Sequence, residues 1–277
     1  MKICIVLDID RTLIDEAGAI SESTVSTLER LHADGHPLIV ITGRGMPRAR
    51  IALRPIEHLL KGSILALENG GRILTLGDYE KLVRFTELRE DQIERFISAL
   101  LPDHTSFIAW HPQAHAEWSY VWVPDSSVKA ELELKMTDAN FIDCDWSSIV
   151  TRIYDSRPCM VTARIDNSNN IREASAATWV GANATLCTNG EIKGEALTWI
   201  SNCMGLSASS IIVAGDDLAD APMLRIVPPR NRVLVGQRLL GSHVDESGVN
   251  YAISSDELGN VLECAVRQDS SEQSVLE

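Results

Sequence analysis

Three short, wholly apolar runs in the first seventy residues constrain the fold more than any other feature of this chain. Ile3–Leu7, Leu38–Ile41 and Ile64–Leu67 each lack an alternating polar residue, the pattern of strands covered on both faces. Amphipathic stretches separate them. Between Ser21 and Ala33, Val25, Leu28 and Leu31 recur at helical spacing, Ser21 or Ser23 stands ready to cap, and Gly35 ends the pattern. Pro47–Leu60 reads as a second helix, and the third run meets a turn at Glu68, Asn69, Gly70 and Gly71. Strand, helix, strand, helix, strand predicts a parallel α/β sheet.

The rhythm breaks near Ile73 and returns near Ile192. Late in the chain the sequence predicts a helix over Gly194–Met204, a buried strand over Ile211–Ala214 and a short helix over Asp220–Ile226. Val233–Val235 and Tyr251–Ile253 follow as strands, and Glu257–Val266 as a closing helix. Between the halves lie an expected helix over Asp91–Leu100 and strand patterns at Phe107–Trp110 and Trp118–Val123. Further helices are expected over Lys129–Met136 and Ile171–Val180, with a strand over Cys159–Ile165. Mixed order of this kind suits an inserted α+β domain. The expected division is a core of 1–72 plus 187–266, an insert of 73–186 and a disordered polar tail of 267–277.

A hydrophobic content of 45% is ordinary for a globular chain with a real core. The formal net charge of -14 argues against nucleic acid as a partner, since phosphate backbones are held by Lys and Arg. Six scattered cysteines form no Cys-x-x-Cys pair. No run approaches the ~18 apolar residues of a membrane span, and the run before Asp8 is too short for a signal peptide. These features predict a cytoplasmic protein without membrane partners.

The chemistry gathers where the apolar runs stop. Asp8 and Asp10 follow the first run and leave an extended backbone on the same side. Thr42, Gly43 and Arg44 follow the second, where a hydroxyl and bare backbone N–H groups suit a phosphate oxygen. Asp216, Asp217 and Asp220 follow the late run. Parallel sheets place ligands at this carboxyl edge, and all-oxygen clusters suit Mg²⁺. Lys193, at a helix start, offers a fixed positive charge. Taken singly, these groups read more readily as solvated turns, helix caps or a surface lysine; it is their order after separate strands that sets them apart.

That ordered set resembles the haloacid dehalogenase (HAD) superfamily of phosphotransferases. Asp8, Asp10 and Thr12 match its first motif, Thr42 its second, Lys193 its third, and Gly215, Asp216, Asp217 and Asp220 its fourth. The insert's place between the second and third motifs looks like the C2-type cap of the Cof-like, class IIB branch. Glu68–Gly71 and Ile192–Leu197 resemble that branch in particular. Two positions depart from it: Arg11 stands where glycine is usual, and Ala219 where Asn or Thr is usual.

The resemblance implies a Rossmann-like core with a C2 cap and Mg²⁺-dependent hydrolysis of a small phosphorylated metabolite. Asp8 would be the nucleophile and Asp10 the general acid and base. Thr42, Gly43, Arg44, Asn69 and Lys193 would bind substrate; Asp8, Asp10, Asp216, Asp217 and Asp220 would hold or orient the metal. Arg44, Arg48, Trp110, His111, His115, Trp118 and Arg164 are candidates for reading the leaving group, with burial in a core the rival reading for the tryptophans. The protein is expected as a monomer or homodimer. A phosphosugar mutase and a non-catalytic ligand-binding protein are the alternatives.

Overall fold

The computed structural model describes residues 2–273 except 79, 101–104, 113–118, 126–128, 131, 134–138, 166–177, 181–182, 188–191 and 237–246. The chain divides into two units. The first comprises Met1–Gly43, Ala49–Val83 and Lys193–Glu277; the second comprises Arg44–Arg48 and Arg84–Ile192.

The first unit is built on an eight-stranded sheet. In chain order its strands are β1 (Cys4–Leu7), β2 (Leu38–Ile41), β3 (Ile64–Leu67), β4 (Arg72–Thr75), β5 (Lys81–Phe85), β12 (Ile211–Gly215), β13 (Arg232–Val235) and β14 (Asn250–Ala252). Their spatial order is β14-β13-β12-β1-β2-β3-β4-β5. The six strands from β14 to β3 are parallel, whereas β4 returns antiparallel to β3. β1 lies in the middle, with β2 on one side and β12 on the other. The chain therefore winds away from β1 in both directions, and the crevice at such a switch point is where open α/β sheets take ligands.

Helices follow the capping chemistry. Helix α1 (Glu22–Ala33) starts at Ser21, whose hydroxyl accepts from Thr24 N at 3.2 Å. The helix expected over Pro47–Leu60 is instead α2 (Met46–Leu53) followed by a 3₁₀ segment, Arg54–Leu60. Pro55 sits at its start and lacks the N–H that would continue the α-helical ladder. Alternate residues of β1, β2 and β12 (Cys4, Val6, Ile39, Ile41, Ile211 and Val213) form one apolar face. Ala196, Leu197 and Ile200 of helix α5 (Ile192–Met204) cover it.

In the second unit a six-stranded sheet runs β10-β11-β9-β6-β7-β8. These strands are β6 (Thr105–Trp110), β7 (Ser119–Trp122), β8 (Ala139–Ile142), β9 (Met160–Ile165), β10 (Thr178–Val180) and β11 (Asn183–Cys187). Pairing is antiparallel throughout except between β7 and β8. Helices α3 (Glu90–Ser98) and α4 (Trp146–Ser156) bury Ile93, Phe96, Ile97, Ile149 and Ile153 against Ile108, Trp110, Trp122 and Val161.

Three expectations need correcting. The division falls at 83/84 and 192/193, because β4 and most of β5 extend the first sheet. Closing helix α7 runs from Leu258 to Gln273, well into the expected tail: its polar last turns are helical. Thr178–Val180 is strand β10, not the end of a helix; most of that expected helix, and much of the one over Lys129–Met136, lies outside the described residues.

Candidate active site

The sheet's own hydrogen bonds position the first two groups. Asp8 N donates to Ala214 O at 3.1 Å, and Thr42 N to Ala66 O at 2.9 Å. Each residue thus stands one step beyond its strand, at the carboxyl edge. Asp8 is 4% exposed and Thr42 fully buried.

The loop after β12 is wound around Asp220. Its Oδ2 accepts from Asp216 N at 2.9 Å and from Asp217 N at 3.3 Å. The turn requires glycine at 215, since a Cβ there would lie 2.5 Å from the Cβ of Asp220. Helix α6 (Ala221–Leu224) follows at once. Lys193, in the first turn of α5, joins the loops after β1 and β12: its Nζ donates to Asp8 Oδ1 at 2.7 Å and to Asp220 Oδ1 at 2.6 Å. Thr12 makes a long contact of 3.5 Å with Asp216 Oδ1.

Carboxylate oxygens of Asp8, Asp216 and Asp220 lie within 4.8 Å of one another. Three acids around one ammonium leave an excess of buried negative charge. Burial pushes the Asp8 carboxyl well above its usual range; Lys193 opposes this, and Asp220 and Asp216 add to it. Asp216 is pushed up to about 7, first by burial and then by Asp220 and Asp217. Asp217 is raised by burial and by Asp220. Burial would lower the Lys193 ammonium, but Asp220 and Asp8 outweigh it and hold the group charged.

A hard divalent cation fits this set. The donors are all oxygens, they converge, and their repulsion is relieved by positive charge. Asp220 engages both its oxygens with Lys193 and the loop amides, so it organises the loop. Among the described residues Asp8 Oδ2 and Asp216 Oδ2 accept no hydrogen bond, which leaves these two acids best placed to bind a metal.

Residues 5–230 match the family of haloacid dehalogenase-like hydrolases. The chain belongs to that family. No curated protein matches it by sequence. Among solved structures, the HAD subclass IIB sugar phosphatase BT4131 superposes with a TM-score of 0.74 at 18% identity, covering 97% of this chain and 100% of that one. BT1666 from Bacteroides thetaiotaomicron, a phosphatase of the HAD superfamily, gives 0.73 at 19% identity, over 98% and 96% of the two chains. TM0651 from Thermotoga maritima gives 0.70 at 14%, over 96% and 97%. These likenesses establish a HAD fold with an inserted α+β unit.

Within this HAD fold the other expected residues are placed as follows. Asp10 is exposed and lies outside the three-carboxylate cluster, bridging to Ile14 in the turn after β1. Asp217 turns its Oδ1 to Ala219 N at 2.8 Å, so the alanine contributes through its backbone. Asn69 N donates to Thr42 O at 2.8 Å, and Asn69 Oδ1 lies against Gly43. Arg44 donates to Arg48 O at 3.1 Å; both belong to the second unit.

Trp110 is a correction: it is 1% exposed, tilted on Tyr120 within the second unit's core, and unable to stack on a sugar. His115 and Trp118 lie outside the described residues. Sequence reasoning overlooked the buried ion pair between Glu68 and Arg72. The signal was present: Arg72 is a lone charge ahead of the apolar Ile73 and Leu74.

Among the described residues, no helix is long and apolar enough to cross a membrane.

Proposed function

We infer that this protein is a Mg²⁺-dependent phosphatase that hydrolyses a small phosphate monoester through an aspartyl-phosphate on Asp8. The observation that carries the reading is Lys193 bonded at once to Asp8 and Asp220 at the carboxyl edge of the sheet. A surface lysine has no reason to be buried there; one that neutralises a buried nucleophile does.

An oxygen of Asp8 attacks phosphorus, and the bond from phosphorus to the ester oxygen breaks. The Asp10 carboxyl gives its proton to the departing alkoxide. Asp10 then takes a proton from the water that attacks phosphorus, releasing inorganic phosphate and restoring Asp8. The exposed position of Asp10 suits a group that meets both an alcohol and water. The Thr42 hydroxyl, the Gly43 N–H and Lys193 bind the phosphoryl oxygens, where spread negative charge makes fixed donors most effective. Mg²⁺ held by Asp8 and Asp216 would supply charge that favours ionised Asp8 and offsets the phosphoryl oxygens.

The likeness to a sugar phosphatase supports a phosphorylated sugar or similar metabolite as substrate. The net charge of -14 argues against nucleic acid and supports a small-molecule partner.

The test is phosphate release from a panel of phosphorylated metabolites, with Mg²⁺ and with EDTA. Release that requires the metal and disappears in Asp8→Asn supports the reading. Release unaffected by that substitution removes Asp8 as nucleophile.

A further inference from the structure

Beside the phosphate-binding edge the backbone holds an unusual conformation. Glu68, Asn69 and Gly70 have φ values of 55°, 59° and 97°, three consecutive residues on the left-handed side. Gly70 accepts this freely and Asn69 tolerates it, but a glutamate does not prefer it. Such strain persists only where the surroundings over-determine it, and it clusters at functional sites.

What over-determines it here is a buried ion pair. Arg72 Nε donates to Glu68 Oε2 at 3.3 Å, and the two residues are 2% and 1% exposed. A buried pair is poor as a source of stability, because desolvation offsets the attraction. Its use lies in fixing one geometry. Arg72 opens β4, whose pairing with β3 runs Leu67↔Arg72 across the turn. The guanidinium is therefore anchored by the sheet, and Glu68 is anchored by the guanidinium.

The turn delivers Asn69 to the loop after β2. Asn69 N donates to Thr42 O at 2.8 Å. A Cβ built on Gly43 would stand 3.0 Å from Asn69 Oδ1, so the carboxamide lies against the Gly43 backbone. Both contacts fall on the Thr42–Gly43 peptide.

We propose that the Glu68–Arg72 pair is a positioning device for phosphate binding. It holds the left-handed turn that presses Asn69 onto Thr42 and Gly43, and so fixes the hydroxyl and the N–H that receive the phosphoryl oxygens. The inference rests on the phosphatase reading, which assigns those two donors. Glu68, Arg72 and Asn69 act through Thr42 and Gly43 and take no part in bond making.

Two variants test it, each measured for melting temperature, kcat, KM and inhibition by inorganic phosphate. Asn69→Gly deletes the carboxamide at a position where glycine is at ease with φ 59°. It is expected to melt no lower than wild type, yet to weaken phosphate inhibition and raise KM about tenfold, with kcat changing less. The double variant Glu68→Met with Arg72→Met removes both buried charges together, a change that folds tolerate. It is expected to reproduce the phosphate defect while remaining folded.

An Asn69→Gly protein whose phosphate inhibition equals wild type overturns the proposal, whatever the double variant does. So does a folded double variant with wild-type phosphate affinity. The phosphatase reading fails separately: a wild type that binds inorganic phosphate by calorimetric titration but hydrolyses no ester removes that reading. Loss of phosphate binding in Asn69→Gly would then still uphold the positioning role.

Discussion

In the first unit the apolar sheet ends against buried charge: Asp8, Lys193, Asp216 and Asp220 at the carboxyl edge, with Glu68 and Arg72 nearby. The second unit has its own sheet and helices, yet none of its described residues is a buried charged side chain. Its buried residues are apolar, Ile, Val, Leu, Ala, Phe and Trp above all, with Thr105 the polar exception. Taking ions out of water is costly, and apolar packing supplies stability without that cost. The contrast separates a unit that carries chemistry from one whose core serves its own folding.

The largest effect should come from Asp8→Asn. Turnover is expected to fall by at least ~10³-fold, because no other step replaces the covalent one. Metal-free stability should not fall with it. Burial already works against the Asp8 charge, so the neutral amide removes repulsion with Asp216 and Asp220. A melting curve in EDTA beside a phosphate-release assay checks both halves. A variant that loses activity only because it unfolds would break the contrast.

Next in size are two substitutions, one for each kind of interior. Lys193→Met leaves Asp8 and Asp220 without their shared donor, and removing one partner of a buried pair costs about 3–5 kcal/mol. Mg²⁺ should restore part of that loss, since a cation can answer the same carboxylates. Ile108→Ala, in the fully buried centre of β6, costs about 2–5 kcal/mol through lost contacts and a cavity. That cost should not depend on Mg²⁺ or on pH between 5 and 8. Chemical denaturation with and without metal distinguishes the two.

The same asymmetry explains which features could be read from sequence. β1, β2, β3 and β12 are apolar on both faces because the sheet is covered twice, and that pattern survives in the residues themselves. The acids that follow them, Asp8 and Asp216, inherit their positions from the strand ends. β5 could not be found this way. It is an edge strand with Lys81, Leu82 and Val83 exposed, so no burial pattern marks it, and its place follows from pairing alone. Thr178–Val180 failed for a related reason: its partner is Asn183–Thr185, and a short hairpin leaves no periodicity. The Glu68–Arg72 pair left half a signal: Arg72 stands as a lone charge ahead of apolar Ile73 and Leu74, but its partner follows only from the turn between them.

The pH dependence should also show the two interiors apart. Asp216 rises in the folded chain to about 7 from an ordinary 3.8. Between those values the folded protein keeps a proton that the unfolded chain has lost. Metal-free stability therefore falls as pH rises from about 4 to 7, by at most about 1.4 kcal/mol per pH unit for one carboxyl, and levels off above. Asp8 is shifted in the same direction. Added Mg²⁺ should oppose the fall, as metal and proton compete for the same oxygens. Melting temperatures across pH 4 to 8, in EDTA and in Mg²⁺, test the sign. A metal-free stability that rises over this range would mean that Lys193 outweighs the repulsion.

The smallest contrast concerns two arginines that share a left-handed backbone, one in each unit. Arg11 has φ 59° and Arg157 has φ 49°. Arg157 follows α4 as its cap, and its guanidinium grips Glu87 with Nε at 2.8 Å from Oε1 and Nη2 at 2.5 Å from Oε2. Arg11 makes no hydrogen bond or ion pair with the other described residues; its charge acts on Asp216 through space. Glycine removes the backbone strain at either site, worth about 1 kcal/mol. At 157 the gain is offset by loss of the exposed, solvent-screened ion pair with Glu87, so Arg157→Gly should leave the melting temperature nearly unchanged. At 11 no described bond is lost and the gain stands, so Arg11→Gly should raise stability by about 1 kcal/mol in Mg²⁺. Removing a positive charge beside Asp216 should also tighten Mg²⁺ binding, read by titration of the metal. A stabilised Arg11→Gly with unchanged metal affinity would mean that the arginine's charge does not reach the metal-binding acids.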